Sequence, residues 1–216
     1  MLDQLHSHFE CGPFAGLPRG HYAAIAIDAP MRFKAYAPAE FQPWSHRRDN
    51  ERHYRTMGFE ELKALPIREL TAPSGCHVFL WTSGPYYARS LELIEAWRFK
   101  FSTRCFTWVK TKPSWDGESP LALDDFHMIT GHTVRHQTEQ VLLARCGNCR
   151  RKAKDVRELI FAPRREHSRK PDEFFRRVER YCDGPYLELF ARERRSGWDS
   201  WGDEVDKFSS TIGAGA

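Results

Sequence analysis

Tyr22-Ala-Ala-Ile-Ala-Ile-Asp-Ala-Pro-Met31 is the stretch from which the fold can be argued. The apolar run from Tyr22 to Ile27 has no polar interruption, which is typical of a strand buried on both faces. The run stops at Asp28, and a proline follows two residues later. In sheets built from such strands, ligands bind outside the carboxyl ends of the strands. Asp28 is therefore a candidate site residue.

The rest of the chain alternates apolar runs with amphipathic segments. The predicted strands cover residues 22–27, 77–82, 103–109, 139–144, 158–161 and 185–190. The predicted helices begin at a Gly58 cap with Glu61 three residues on, at Ser83-Gly-Pro85, and at a Ser168 cap with Pro171 in the first turn. Long polar connections fill residues 31–55 and 111–135. The alternation predicts an α/β fold with a largely parallel sheet and helices on both faces.

The composition is that of a soluble globular chain of 216 residues with 41% hydrophobic residues, enough for one domain. We predict an irregular leader over 1–20, one domain over 21–207 and a disordered tail over 208–216. No apolar run approaches the roughly 20 residues that cross a bilayer, and the N-terminus lacks an apolar signal core. A cytoplasmic protein without a membrane partner is therefore expected.

The charge distribution favours an anionic partner more than the net charge of +4 does. Basic residues cluster at 150–154, 164–165 and 192–195, near predicted strand ends, although each cluster could be an ordinary solvated face. Among the six cysteines, Cys146-Gly-Asn-Cys149 alone has metal or redox spacing. A single Cys-x-x-Cys is a weak signal, so a surface turn is favoured and no metal site is predicted.

Several motifs occur in an order that is specific in combination. They are Asp28-Ala-Pro-Met31, His53-Tyr-Arg-Thr-Met57, Phe79-Leu-Trp-Thr82, Trp108-Val-Lys110, Arg165-Glu-His-Ser-Arg-Lys-Pro-Asp-Glu173, Leu187-Glu-Leu-Phe-Ala-Arg192 and Gly197-Trp-Asp-Ser-Trp-Gly202. Over roughly residues 20–207 the chain resembles the family named for the seventy-kilodalton catalytic subunit of the mRNA N6-adenosine methyltransferase. It is most similar to compact bacterial and phage members that act on DNA adenine.

The resemblance implies a Rossmann-like class I methyltransferase fold in permuted order, with the catalytic motif before the cofactor segment. It also implies transfer of a methyl group from S-adenosylmethionine to the exocyclic amine of adenine. The implied catalytic motif is Asp28, Ala29, Pro30 and Met31, in which the Asp28 carboxylate and the Ala29 carbonyl accept the two amine hydrogens. From the residues alone, a strand-end cap or turn residue is the favoured interpretation of Asp28.

The motif departs from the family pattern at two positions. Ala29 replaces a proline but keeps the carbonyl, whereas Met31 replaces the aromatic residue that stacks on the target adenine. Base–aromatic stacking contributes about 1–3 kcal/mol per base, and methionine gives no equal stack. We therefore expect weakened base binding or a substitute ring from Phe33, Tyr36 or Trp44.

The resemblance also implies the cofactor-binding residues. They are Asp28, Lys170, Glu188, Phe190, Arg192, Arg194, Arg195, Asp203 and Glu204. Lys170 matches the lysine that pairs with the methionine carboxylate, and the arginines match the segment around the ribose and the methionyl tail. Asp203 and Glu204 match positions that bind ribose and adenine, although either could belong to an acidic surface turn. Trp198 and Trp201 are expected to be packing residues.

The substrate side is expected in the two long connections. The candidate substrate-binding residues are Arg32, Phe33, Lys34, Tyr54 and His132. A duplex adenine would have to be flipped into the site, and basic residues in 31–55 could position the strand through its phosphates. DNA is the favoured partner over RNA, and a homodimer is left open. The alternative hypotheses are a non-catalytic relative that binds nucleic acid or cofactor, and the same chemistry on RNA.

Overall fold

The sheet of the protein contains seven strands among the residues that the computed structural model describes, which are 11–31, 56–128, 134–166 and 169–208. The strands are β1 (Ala24–Ile27), β2 (Gly75–Thr82), β3 (Lys100–Thr111), β4 (Thr138–Gly147), β5 (Leu159–Pro163), β6 (Tyr186–Leu189) and β7 (Trp198–Trp201). Their order in the sheet is β5-β3-β4-β2-β1-β6-β7, which puts β1 between β2 and β6. The mixed α/β sheet confirms the predicted fold class.

The three α-helices of the described residues are α1 (Phe59–Lys63), α2 (Tyr87–Ala96) and α3 (Asp172–Tyr181). Helix α1 begins after Gly58 as predicted, and the Gly58 backbone N–H donates to Glu61 Oε2 at 2.5 Å. The predicted start of α3 was wrong, because Pro171 has an extended backbone and is the N-cap. Ser168 lies outside the described residues.

Both faces of the sheet are buried, as the unbroken apolar run predicted. Ile25 and Ile27 of β1 face a core cluster that includes Leu93 of α2, and Ala24 and Ala26 face a second cluster that includes Phe174 of α3. Each sheet face is therefore covered by a helix, and the strand ends are left as the accessible edges of the sheet.

Strand β4 is the exception to the predicted parallel arrangement. Four neighbouring pairs are parallel, namely β1 with β2, β1 with β6, β3 with β5, and β6 with β7. Strand β4 runs antiparallel to both β2 and β3. The chain leaves β3 at Thr111 and enters β4 at Thr138 on the same edge of the sheet, so β4 must run back. This edge, where β1 also ends, is called the carboxyl edge below.

Strand β7 was missed from the sequence, because four residues with two tryptophans give no clear alternation. Its tryptophans are packing residues as expected: Trp198 is buried, and Trp201 contacts the rings of Phe14 and Phe190 edge-on. Phe14 belongs to the core, so the packed domain includes part of the segment assigned to the leader. No helix of the described residues is long and apolar enough to cross a membrane.

The Cys146-Gly-Asn-Cys149 segment contains the last two residues of β4 and the start of the turn that follows, on the edge opposite the carboxyl edge. Gly147 has a φ of +63° and faces Gly75, and the Asn148 N–H donates to the Ser74 carbonyl at 2.8 Å. The described residues contain no group of side chains that could hold a metal ion. The close approach of Gly147 to Gly75 therefore gives the glycine of this segment a structural role.

Substituting Gly147 should destabilise the fold. A Cβ at Gly147 would lie 2.6 Å from Gly75 Cα, so Gly147→Ala combines a backbone clash with an unfavourable φ. We expect a loss of roughly 3 kcal/mol in the free energy of unfolding, measured in urea. The matched control is Gly117→Ala, where φ is +88° and nothing lies within 4 Å, with a cost of about 1 kcal/mol. Equal losses in the two variants would contradict the steric argument.

Candidate active site

Asp28 lies at the carboxyl edge, directly after β1, which is an interior strand of the sheet. Its carboxylate is about one-quarter exposed, and its Oδ2 atom is 3.0 Å from Nζ of Lys170. Lys170 comes from the segment that leads into α3, so the contact joins two distant parts of the chain. One carboxylate oxygen of Asp28 is thus held in place at this edge.

Lys170 is the centre of a chain of alternating charges. Its Nζ atom is also 3.0 Å from Oε2 of Glu139, at the start of β4, and the other oxygen of Glu139 binds Lys110 from the end of β3. The Lys170 ammonium lies 4.9 Å from the ring centre of Trp81. Lys170 is 9% exposed, so the two carboxylates and the indole replace most of its hydration.

The charge chain sets the protonation of its members. Burial alone would raise the pKa of Glu139, but the ammonium groups of Lys170 and Lys110 outweigh it and lower that pKa to about 2. Burial opposes the charge of Lys170, yet the carboxylates of Asp28 and Glu139 raise its pKa above the usual value. The pKa of Lys110 is lowered, chiefly by burial. Glu139 and Lys170 are therefore both charged at neutral pH.

A pocket opens beside Asp28 at the same edge. Its lining residues are Asp28, Arg169, Lys170, Phe175, Glu188, Phe190, Arg192, Glu193 and Phe208. The lining combines both signs of charge with three aromatic rings. Such a mixture suits a ligand that itself carries charged, polar and ring-shaped parts.

Glu188 is the most perturbed acid of the pocket. Burial raises its pKa to about 8, helped by the Asp28 and Glu193 carboxylates and opposed by Arg195 and Lys170. Its Oε2 atom is buried without a hydrogen-bond partner among the described residues. A buried polar atom without a partner is costly, so a ligand that supplies a hydroxyl or amino group would complete this site.

Glu193 fixes the loop after β6 to the approach of α3. Its two carboxylate oxygens bind Arg169 and Arg195, each at 2.7 Å. Arg195 also binds Asp172 at 3.0 Å and stacks 3.9 Å from the ring centre of Phe175. The wall of the pocket that carries Arg169 and Phe175 is therefore held rigidly by paired charges.

The structure brings together most of the predicted cofactor residues. Asp28, Lys170, Glu188, Phe190 and Arg192 all line the pocket, whereas Arg194, Arg195, Asp203 and Glu204 do not. Arg194 is exposed and pairs with Asp206 at 2.8 Å. Glu204 is engaged by Arg192 at 3.6 Å and by Lys207 at 2.6 Å. Arg194, Arg195 and Glu204 therefore form ion pairs within the protein, and the ligand roles of the four residues outside the lining stay predictions.

Met31 packs inward. It is 8% exposed, belongs to the core and forms a bridge with Met57, whose N–H donates to the Pro30 carbonyl at 2.9 Å. The Ala29 carbonyl accepts a hydrogen bond from the Met31 N–H at 2.8 Å and keeps a second lone pair. Met31 thus presents little surface on which a base could stack.

The predicted substrate side lies outside the described residues. This applies to Arg32, Phe33, Lys34, Tyr54 and His132, and to the candidate rings Tyr36 and Trp44. Glu139, Arg169, Glu193 and Phe208 contribute to the site without having been predicted. Phe208 was assigned to the tail, yet its backbone N–H donates to the Arg192 carbonyl at 3.1 Å and its ring lies under Arg169. Glu139 and Glu193 are of a type that is common on surfaces, whereas Arg169 lies within the quoted motif of residues 165–173 without having been assigned a role.

Comparisons with known proteins identify the relatives of this chain. The model of the MT-A70 family matches residues 22–204. The chain is 30% identical over 207 residues to the type II methyltransferase M.MunI of a Mycoplasma species, covering 89% of this chain and 81% of that protein. It is 31% identical to the human N(6)-adenine-specific methyltransferase METTL4 and to an Arabidopsis thaliana N(6)-adenosine-methyltransferase MT-A70-like protein. The matches cover 88% and 71% of this chain but 39% and 21% of those longer proteins.

Replacing Glu139 should remove stability that depends on pH. Its pKa falls from the usual 4.5 to about 2, so its ionised form stabilises the fold above pH 4.5. Glu139→Gln should lower the free energy of unfolding at pH 7 by roughly 3 kcal/mol. The difference from the wild type should shrink as the pH falls from 4.5 towards 2, measured by urea unfolding. A difference that stays constant from pH 7 to pH 3 would contradict the assigned pKa.

Replacing Glu188 should change the free energy of unfolding in the opposite direction to replacing Glu139. Its pKa of about 8 exceeds the usual 4.5, so the neutral form is favoured in the fold, and the stability it provides is lost as the pH rises through 8. Glu188→Gln should therefore become more stable relative to the wild type between pH 4.5 and 8, by up to about 4 kcal/mol. Urea unfolding at pH 5, 6.5 and 8 measures this. A pH-independent difference would show that Glu188 ionises normally.

Proposed function

The chain belongs to the MT-A70 family, and from this membership we propose that it transfers a methyl group from S-adenosylmethionine to the exocyclic N6 amine of adenine in DNA. The observation that carries the proposal is the juxtaposition of Asp28, Lys170 and Glu188 around one pocket at the carboxyl edge. Motifs that are separated by more than one hundred residues in the sequence meet there.

Asp28 is the residue that the proposed methyl transfer requires most directly. The adenine amine is a poor nucleophile because its lone pair is delocalised into the ring, so the amine must be oriented and its N–H bonds polarised. The Asp28 carboxylate, with one oxygen held by Lys170, is an acceptor for one N–H, and the Ala29 carbonyl is the neighbouring acceptor for the other. Most of the rate gain then comes from positioning and from directed electrostatics. The amine loses one proton in the reaction, and the Asp28 carboxylate is the adjacent acceptor.

The donors and acceptors that line the pocket support S-adenosylmethionine as its ligand. When bound, the cofactor supplies an electrophilic methyl group on a sulfonium. Lys170 and Arg192 would hold its carboxylate end, and Glu188 would gain the partner that its buried oxygen lacks among the described residues. The rings of Phe190 and Phe208 would provide apolar contact.

The choice of adenine and of DNA draws on the relatives. The adenine amine is supported by relatives named as N(6)-adenine and N(6)-adenosine methyltransferases. DNA is supported by the type II methyltransferase M.MunI, most of whose length this chain spans. RNA is the second candidate, because a relative from Cryphonectria parasitica is named an N6-methyladenosine RNA methyltransferase and is 32% identical over 189 residues.

Asp28→Asn should reduce the turnover number at least about 100-fold. The amide keeps the shape of the side chain but loses the charge that pairs with Lys170 and accepts the N–H of the amine. Transfer of tritium from labelled cofactor to DNA oligonucleotides measures the rate, and calorimetry measures cofactor binding separately. Asp183→Asn, exposed between α3 and β6 and outside the pocket lining, is the matched control and should leave the rate unchanged.

Three outcomes separate the alternatives. Equal rates for the wild type and Asp28→Asn would refute the role of Asp28. Cofactor binding by the wild type without transfer to either DNA or RNA would identify a non-catalytic relative, the reading that the inward packing of Met31 favours. Faster transfer to an RNA oligonucleotide of matched sequence would keep the chemistry and change the substrate.

A further inference from the structure

Three separate segments converge at the end of β3, on the carboxyl edge but away from the pocket. The His127 N–H donates to the Lys110 carbonyl at 2.8 Å, and the Arg164 N–H donates to the Thr111 carbonyl at 3.0 Å. Lys112 is anchored by its own N–H, which donates to the Asp125 carbonyl at 2.7 Å. The backbone thus fixes Lys112, His127 and Arg164 around one point of the edge.

The side chains of Arg164 and His127 are in contact at this point, and Lys112 is near enough to affect His127 electrostatically. Nη1 of Arg164 is 3.3 Å from Nε2 of His127. A guanidinium can only donate, so Nε2 of His127 accepts and the imidazole is neutral. Burial lowers the pKa of His127, and the positive charges of Arg164, Lys110 and Lys112 lower it further. A neutral imidazole surrounded by cations marks a position of positive potential.

The carboxylates of Glu139 and Asp125 make their contacts outside this cluster. Glu139 is occupied between Lys110 and Lys170. Asp125 Oδ2 accepts from the Ala122 N–H at 2.8 Å. Within the described ranges, neither Arg164 nor Lys112 forms an ion pair with a carboxylate, in contrast to Arg165, which pairs with Asp172 at 2.9 Å. The cluster of Arg164, His127 and Lys112 therefore has donors available for an anion.

We propose that Arg164, His127 and Lys112 bind a backbone phosphate of the nucleic acid at a nucleotide that flanks the target base. The proposal rests on the proposed function for the identity of the ligand, and on the cluster itself for the site. A phosphate accepts several hydrogen bonds at once and matches the planar guanidinium of arginine. Lys112 adds an exposed point charge, and the Nε2 atom of His127 gains a proton to donate when an anion lies beside it.

The location suits a flanking nucleotide. Strands β2 and β4 lie between β1 and β3, so the cluster is three inter-strand spacings of about 4.8 Å, roughly 14 Å, from Asp28 along the same edge. That separation corresponds to about four rises of 3.4 Å along a duplex. A strand running along the carboxyl edge could therefore reach Asp28 and the cluster together, whereas the basic cluster at 150–154 follows β4 on the opposite edge.

The test compares two variants that change the net charge equally. Arg164→Gln removes the central guanidinium, and Arg150→Gln removes an exposed arginine on the opposite edge. Binding of a fluorescent DNA oligonucleotide is measured by anisotropy from 50 to 200 mM salt, with no cofactor present. Arg164→Gln should weaken binding about 5- to 20-fold at low salt and reduce the slope of log K against log salt by about one. Arg150→Gln should leave both quantities unchanged.

A third variant and an independent readout make the outcome decisive. Arg164→Lys keeps a charge without the planar fork, so it should recover part of the lost affinity. Unchanged binding in Arg164→Gln, or an equal loss in Arg150→Gln, would overturn the phosphate site. Cofactor affinity, measured by calorimetry, should be the same in all three variants, and a loss there would indicate a structural effect instead.

The same experiment separates this proposal from the proposed function. Wild-type protein that binds DNA through Arg164 but transfers no methyl group would refute the activity and support the phosphate site. Wild-type protein that methylates the oligonucleotide, while Arg164→Gln binds it equally well, would support the activity and overturn the phosphate site. Tighter binding of matched RNA, with the same loss in Arg164→Gln, would support the site and identify RNA as the ligand.

Discussion

The bridge from Asp28 through Lys170 to Glu139 is the interaction on which the rest of the site depends. Removing three charged groups from water is expensive, and mutual attraction repays that cost only when the geometry is good and the remaining hydrogen-bonding positions are satisfied. Here Lys170 lies 3.0 Å from each carboxylate and against the ring of Trp81, and Lys110 satisfies the far side of Glu139. The bridge connects the end of β1, the start of β4 and the segment that leads into α3.

Two glutamates near this bridge have opposite protonation because their surroundings differ. Glu139 lies between two ammonium groups and stays ionised far below its usual range. Glu188 is buried beside the carboxylates of Asp28 and Glu193, and it holds a proton up to about pH 8. Such separation of carboxyl groups by environment is typical of functional sites. Glu139 thus contributes an ion pair to the fold, whereas Glu188 has a buried oxygen without a hydrogen-bond partner among the described residues.

The antiparallel course of β4 decides which basic residues can act together. Because β4 runs away from the carboxyl edge, the residues that follow it lie at the opposite edge. The cluster at 150–154 is therefore separated from Asp28 by the length of the strands. The strands that end at the carboxyl edge bring Lys110, Arg164 and the loop after β6 to one side of the molecule. The direction of each strand therefore decides whether a basic cluster lies on the same edge as Asp28 or on the opposite edge.

The sequence by itself determined the buried strand Ala24–Ile27, the position of Asp28 at its end, the α/β class and the start of α1 after Gly58. These features follow from local rules: apolar runs, caps and chain punctuation act over a few residues. It also identified Lys170, Glu188, Phe190 and Arg192, because they belong to motifs shared with a family. The tertiary structure alone decided that Met31 faces the core, that β4 is antiparallel, and that Glu139, Glu193 and Phe208 belong to the site. Each of these depends on contacts between segments far apart in the chain, and no local pattern encodes which distant charge a glutamate will meet.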